Sequence, residues 1–279
     1  MHRVPTEARV LRLDAVSKTF YPRSANEVRA LDGVSLHFSA GSFTVVIGTN
    51  GSGKSTLQAA IAGAFKVDSG SIIIDGHDVT DGEECRRACV VGRVFQDPFA
   101  GTAPELTVAE NLALASRRGK RRTLRPLLRA AKREEWRVLL AQIGLGLEHR
   151  LDDPIGLLSG GQRQAVTLLM ATLTNPPVLL LDEHTAALDP RSAELVIAVT
   201  KELIGKSSST TLMVTHSMQQ AASLGDRLIA MHRGRVYLDV SGAEKRKLSA
   251  ADLHELFLQM RRDDCFDDAV CALVAEQYS

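Results

Sequence analysis

The chain has 279 residues, 44% of them hydrophobic and 24% charged, with a formal net charge of +1. Those proportions suit an ordinary globular core in one large or two modest domains, and the near-neutral balance gives no global attraction to nucleic acid, so any basic surface must be local. No uninterrupted apolar run approaches the ~20 residues of a membrane-spanning helix, which excludes a chain that is itself a membrane channel.

In chain order, Met1-His-Arg-Val-Pro-Thr-Glu7 carries no apolar stretch of signal-peptide kind. Apolar runs at Val10-Leu-Arg-Leu13, Val34-Ser-Leu-His-Phe38 and Phe43 to Ile47, parted by turn residues, predict a small antiparallel sheet leading into a loop. That loop, Gly48-Thr-Asn-Gly-Ser-Gly-Lys-Ser55, fits G-x-x-x-x-G-K-[ST] without a gap, between a buried strand and a helix over Lys54 to Gly63. A glycine-rich turn lets backbone N–H groups close on a triphosphate, and the helix start adds positive potential. Gly48, Thr49, Asn50, Gly51, Ser52, Gly53, Lys54, Ser55 and Thr56 are therefore the candidate phosphate-binding residues. Lys54 is expected to reach the β- and γ-phosphates and the Ser55 hydroxyl to ligate Mg²⁺.

Ser71-Ile-Ile-Ile-Asp75, closed by Gly76, predicts a further strand. Cys85/Cys89 and Cys265/Cys271 have no zinc-knuckle spacing, so reduced thiols in the cytosol are expected. Residues 102–175 read as mainly helical, with helical apolar spacing at Asn111–Ala115 and Trp136–Ile143. Between Arg117 and Arg133 stand nine Lys or Arg and no acid. A solvated face of the helical region is the leading reading, and contact with anionic headgroups or acidic loops of a membrane partner is the sharper alternative. Nucleic acid is not expected, because no aromatic platform interleaves the charges. Pro177-Val-Leu-Leu-Leu-Asp-Glu183 is an apolar strand ending in two acids, and Thr210-Thr-Leu-Met-Val-Thr-His216 is another ending in a histidine. Arg191 to Ile204 between them suits the crossover helix that a parallel sheet requires. Leu228–Met231 and Val236–Leu238 flank Arg233-Gly234 as a hairpin, and from Ala250 a helical pattern puts Leu253, Leu256, Phe257 and Met260 on one face.

Leu158-Ser-Gly-Gly-Gln162, followed by Arg163-Gln164 and a helical run, offers a second anion-binding helix end. With this string the chain resembles the nucleotide-binding subunits of ATP-binding cassette (ABC) transporters over roughly residues 10–240, its motifs in the family's order and near its spacings. The resemblance implies an α/β fold: a P-loop NTPase core with a mainly parallel sheet, an N-terminal antiparallel β subdomain and an inserted helical subdomain at about 98–165. Residues 241–279 would form a C-terminal helical extension.

Site roles are implied residue by residue. Phe20, in Ser17-Lys-Thr-Phe20, matches the family aromatic that stacks on adenine, a contact worth roughly 1–3 kcal/mol; Tyr21 is the rival stacker, and a plain core role for Phe20 is the competing reading. Gln96, in Val94-Phe-Gln-Asp-Pro98, matches the glutamine that touches Mg²⁺ and the attacking water. Asp182 should hold Mg²⁺ through its water shell, Glu183 should accept the proton of that water, and His216 should bridge the γ-phosphate and Glu183. Ala187-Leu-Asp189 matches a loop that passes between two subunits. Ser159, Gly160, Gly161 and Gln162 would face the phosphate loop of a second ABC subunit, a homodimer or a related chain, with ATP sandwiched between the two.

The implied function is Mg-ATP hydrolysis by a peripheral subunit at the cytoplasmic face of the cell membrane. It would serve a separate integral permease that docks near Phe99 and Leu106–Leu114, and an extracytoplasmic substrate-binding protein in an importer. Gly101–Leu112 and Asp182–Asp189 are similar to bacterial uptake systems with branched-chain-type permeases. His184 departs from the family's usual proline, and Ala165 and Met170 from frequent arginines. A soluble ABC-type ATPase acting on a scaffold or nucleic acid is the alternative, and a non-hydrolysing regulatory cassette is a third reading. Against these stand the single cassette without zinc-finger or coiled-coil insert, and the intact set Lys54, Gln96, Glu183 and His216.

Overall fold

The computed structural model describes residues 9–120 and 126–260. The middle of the basic run, Cys265, Cys271 and the last part of the expected C-terminal helices lie outside them. Among the described residues ten strands form two sheets: β1 (Arg9–Phe20), β2 (Val28–Ser39), β3 (Phe43–Gly48), β4 (Ser69–Ile74), β5 (His77–Asp78), β6 (Val91–Val94), β7 (Val178–Asp182), β8 (Thr210–Val214), β9 (Arg227–His232) and β10 (Arg235–Ser241). The named helices among the described residues are α1 (Lys54–Ala62), α2 (Glu84–Arg87), α3 (Val108–Ala115), α4 (Ala130–Ile143), α5 (Gly160–Thr172), α6 (Pro190–Lys206), α7 (Met218–Ser223) and α8 (Gly242–Lys247), and residues 250–260 are also helical.

The smaller sheet, in the order β2-β1-β4-β5, is antiparallel throughout. The larger runs β10-β9-β3-β8-β7-β6, parallel from β9 to β6, with β10 returning antiparallel as the second arm of a hairpin. This is the expected α/β architecture with a mainly parallel sheet. β6 was not foreseen: its short run is broken by Gly92 and Arg93, and it becomes a strand only by pairing with β7.

The central parallel strands are mostly apolar, unlike β6, because both faces are covered. Val45 and Ile47 of β3, Leu179 and Leu181 of β7 and Met213 of β8 face one core with α3, α4 and α5, where Trp136 and Leu140 are also buried. Val46, Val178, Leu180, Leu212 and Val214 face a second core, closed by Leu57, Ala60 and Ile61 of α1 and by Leu11, Leu13 and Phe38 of the antiparallel sheet. The chain therefore sandwiches one sheet between a helical layer and a mixed layer of helix and sheet. The consequence for the site is positional: the loops after β3, β7 and β8 leave neighbouring strands at the same, carboxyl edge, where open α/β sheets bind ligands.

Candidate active site

The loop after β3 is held by backbone close approaches that only glycine permits. Gly53 has φ +99°, and a Cβ there would sit 2.4 Å from Ala30 O; one on Gly48 would sit 2.3 Å from Met231 O. Ser52 N donates to Thr49 O, and Gly234 N donates to Ser52 O, so the β9–β10 turn braces the loop from behind. Gly53 precedes α1 without any side-chain cap and the first turn holds no acid, which leaves the helix's N–H groups and positive end open to an anion. Ser52 Oγ is buried and makes no hydrogen bond among the described residues.

Lys54 is buried, and its Nζ donates to Gly48 O and Thr49 O, each at 2.9 Å. Burial pulls its pKa below the ordinary lysine value, while the Glu183 and Asp182 carboxylates push it back up. The cation is thus poised inside the loop on two weak acceptors. An open cleft of about 510 Å³ lies over it, bordered by Lys54, Ser55, Thr56, Glu183, His216, Phe20 and Tyr21 among others.

Glu183 follows β7 with φ +43°, a left-handed conformation that costs a non-glycine residue roughly 1–3 kcal/mol and turns its side chain out of the sheet's run. Its N–H donates to Val214 O, and its Oε1 lies 2.7 Å from His216 Nε2. A carboxylate held by an imidazole at that distance can take a proton from a water in the cleft. Two polar side chains brace this pair that the motif reading missed. Gln220 accepts from Thr215 Oγ1 (2.8 Å) and donates to Thr185 Oγ1 (3.1 Å), lacing the loop after β8 to the loop after β7. Gln58 of α1, fully buried, donates to Leu181 O (3.0 Å), tying the phosphate-loop helix to the end of β7. Ser217-x-x-Gln220 carries a helix-start signal, and Ser217 does cap α7; nothing in the sequence marks Gln58.

Not every predicted residue borders the cleft. Gln96 is exposed beyond β6, and Asp182 is mostly buried with the Arg93 guanidinium 3.6 Å away. Ser159 caps α5 in a reciprocal box with Gln162, and Gly160 is exposed, so this helix end opens onto another part of the surface. A Cβ on Gly161 would fall 2.9 Å from Ser192 Cβ, so that glycine also serves α5–α6 packing. Asp189 caps α6 by accepting from Ser192 N at 3.1 Å. Phe20 meets Phe65 edge-on at 5.4 Å, leaving Tyr21, 71% exposed, as the freer ring on the same wall. Among the described residues no group of three or more His, Cys, Asp or Glu could hold a metal. Mg²⁺ needs fewer protein oxygens when phosphates supply the rest, and the Ser55 hydroxyl, on the cleft wall, fits that demand.

His184 is fully buried behind Glu183. Thr200 Oγ1 spends its one hydrogen on Val196 O (2.8 Å), so it accepts from His184 Nε2 (3.0 Å); the imidazole proton sits on Nε2, and Nδ1 has no partner among the described residues. Burial pushes its pKa down to about 4 from 6.5. The neutral form is the folded one, so the stabilisation is complete above pH 6.5 and lost as pH falls through about 4. We expect about 2–3 kcal/mol of stability to disappear between pH 7 and 4.5 on this account. Urea midpoints at the two pH values, in the parent and in His184→Gln, measure it; an equally steep fall in the variant would disprove the assignment.

The comparisons agree with this geometry. A sequence model of the family described as ABC transporter matches residues 31–186. The chain is 44% identical over 249 residues to a tyrosine transport ATP-binding protein of Clostridioides difficile (strain R20291), covering 89% of this chain and 98% of that one. It is 36% identical to the energy-coupling factor transporter ATP-binding protein EcfA2 of Symbiobacterium thermophilum, over 81% of this chain and 76% of that one. Among solved structures, a nucleotide-free ATP-binding cassette from an ABC transporter superposes with a TM-score of 0.73 at 29% identity, covering 91% of this chain and 98% of that one. A dimeric, post-hydrolysis cassette bound to ADP and Pi superposes with a TM-score of 0.69 at 29% identity, over 83% and 98%. The chain belongs to the ABC transporter family, as an ATP-binding cassette with the family's ATPase fold.

Proposed function

We propose that two copies of this chain, or it and a related one, clamp Mg-ATP across their shared seam and drive a separate membrane permease, in an importer. The observation that carries this is a half-built site: Lys54, the Glu183–His216 pair and Phe20/Tyr21 border one open cleft, while the capped helix end at Ser159 lies away from it, with Ser159 and Gly160 exposed. A second copy would supply that helix end, and Asp189 at the start of α6 would lie in the seam. Residues 98–165 would form the helical subdomain and receive the permease.

Lys54 and the loop N–H groups bind and orient the triphosphate, and Phe20 or Tyr21 stacks on the base. Glu183 accepts the proton as the water oxygen bonds the γ-phosphorus and the bond to the β–γ bridging oxygen breaks; His216 holds Glu183 and reaches the γ-phosphate. Ser55, Asp182 and Gln96 would hold Mg²⁺, which neutralises phosphate charge when bound. Positioning and charge stabilisation do most of the work. The import direction follows relatives named for sulfate/thiosulfate and aliphatic sulfonate import, and an extracytoplasmic substrate-binding protein would complete such an importer. No described helix is long and apolar enough to cross a membrane, so attachment would be peripheral, through the permease.

Purified in mild detergent from its own cells' membranes, the tagged chain should retain an integral membrane protein and release phosphate steadily, faster with the transported solute present. Recovery free of membrane protein but bound to a nucleic acid or soluble scaffold would favour the soluble ATPase instead.

A further inference from the structure

Arg163 sits four residues past Ser159, 3% exposed, near the positive end of α5. A buried cation there opposes the helix dipole and loses its hydration, so something must hold it. Its guanidinium donates to Ile155 O (3.2 Å), Gly156 O (2.7 Å) and Leu158 O (3.0 Å), the carbonyls of the segment that delivers Ser159. Its flat face lies 3.7 Å from the centre of the Phe99 ring. The next residue, Gln164, donates to Phe95 O at 3.2 Å. Consecutive residues of α5 therefore grip both the turn before Ser159 and the 95–99 segment that contains Gln96.

Phe99 is 51% exposed although the cation beneath it is buried. The ring therefore has one face on the buried guanidinium and the other side in solvent. Only a planar fork can satisfy three carbonyls and stack at once, which an ammonium cannot do.

We infer that Arg163 is a positioning residue that sets the geometry of the Ser159–Gln162 turn, with the Phe99 ring as the lever that moves it. Displacing Phe99 shifts the guanidinium, and the guanidinium carries the Ile155–Leu158 carbonyls and the helix start with it. This rests on the proposed shared nucleotide site, which uses that turn.

The test combines two readouts. In a Glu183→Gln background, ATP-driven dimerisation is followed by light scattering for Phe99→Ala, Phe99→Tyr, Arg163→Lys and the Phe99→Ala/Arg163→Lys pair. Losing the stack should raise the half-saturating ATP about five- to tenfold for Phe99→Ala, and Arg163→Lys, which loses the carbonyl fork as well, should raise it at least as much. The pair should be no worse than Arg163→Lys alone, Phe99→Tyr should behave as the parent, and nucleotide binding by the monomer should not change. Hydrogen exchange at the 159–163 amides should quicken in Phe99→Ala even without nucleotide. Additive losses, an unmoved midpoint or unchanged exchange in Phe99→Ala would overturn the lever. A Glu183→Gln parent that stays monomeric in ATP overturns the shared site instead, and the exchange measurement still decides on Arg163.

Discussion

Replacing Glu183 with Gln should lower ATP hydrolysis by about 10²–10⁴-fold while leaving ATP binding intact, so that the nucleotide-bound dimer accumulates. The amide keeps the shape of the carboxylate, and its oxygen still accepts from His216 Nε2, now 2.7 Å from Oε1. The left-handed backbone at this position is set by the turn and by the bond from its N–H to Val214 O, neither of which the substitution touches. What disappears is the ability to take a proton at cleft pH. Removing one negative charge from the cleft wall also removes repulsion against the triphosphate, which favours the anionic ligand slightly. Binding and catalysis should therefore separate cleanly. Phosphate release, fluorescent-nucleotide binding and light scattering on one preparation give the three numbers. A variant that hydrolyses at the parent rate would place the base elsewhere; one that binds ATP but stays monomeric would remove the shared site.

The features legible in the sequence are those whose physics is local. The phosphate loop is one: Gly53 is required by its own φ and by Ala30 O at its back, and the glycine spacing shows it. β7 and β8 are legible because strands buried on both faces carry apolar runs, Val178–Leu181 and Leu212–Val214, and the polar residue that follows each run, Asp182 and Thr215, marks the carboxyl edge. β6 was not legible, because Gly92 and Arg93 break its pattern and its partner lies more than eighty residues away. Gln58 and Gln220 were missed for the same reason. Each is an ordinary polar residue on a helix, and its meaning arises only from which carbonyl or hydroxyl the fold brings to it. His184 was visible as a departure from the family, yet its burial and its single bond to Thr200 depend on α6 packing against the turn. Motifs report groups that must meet a ligand, whereas the residues that hold those groups in place are written in tertiary contacts.

Lys54→Ala should weaken ATP binding about 10–100-fold, the loss of a charged hydrogen bond of roughly 1.5–3 kcal/mol, and should reduce hydrolysis further still. In the free protein Nζ is occupied by Gly48 O and Thr49 O. These are neutral acceptors, and a phosphate oxygen carrying negative charge displaces them at a net gain. Because the ammonium is already buried, most of its desolvation cost has been met before the ligand arrives, which is the preorganisation that makes the loop a tight anion site. Alanine loses that advantage and removes a donor from both Gly48 O and Thr49 O, so the loop's own geometry should loosen too. Lys54→Arg separates these effects: it keeps the charge, but its larger fork must fit a position only 5% exposed beneath Gly48 and Thr49. If charge alone mattered, Arg would restore binding; if the enclosed geometry matters, Arg should bind nearly as poorly as Ala. Titrating fluorescent ATP into the three proteins distinguishes the cases, and binding within twofold of the parent in Lys54→Ala would mean that the loop N–H groups and helix end carry the triphosphate without the lysine.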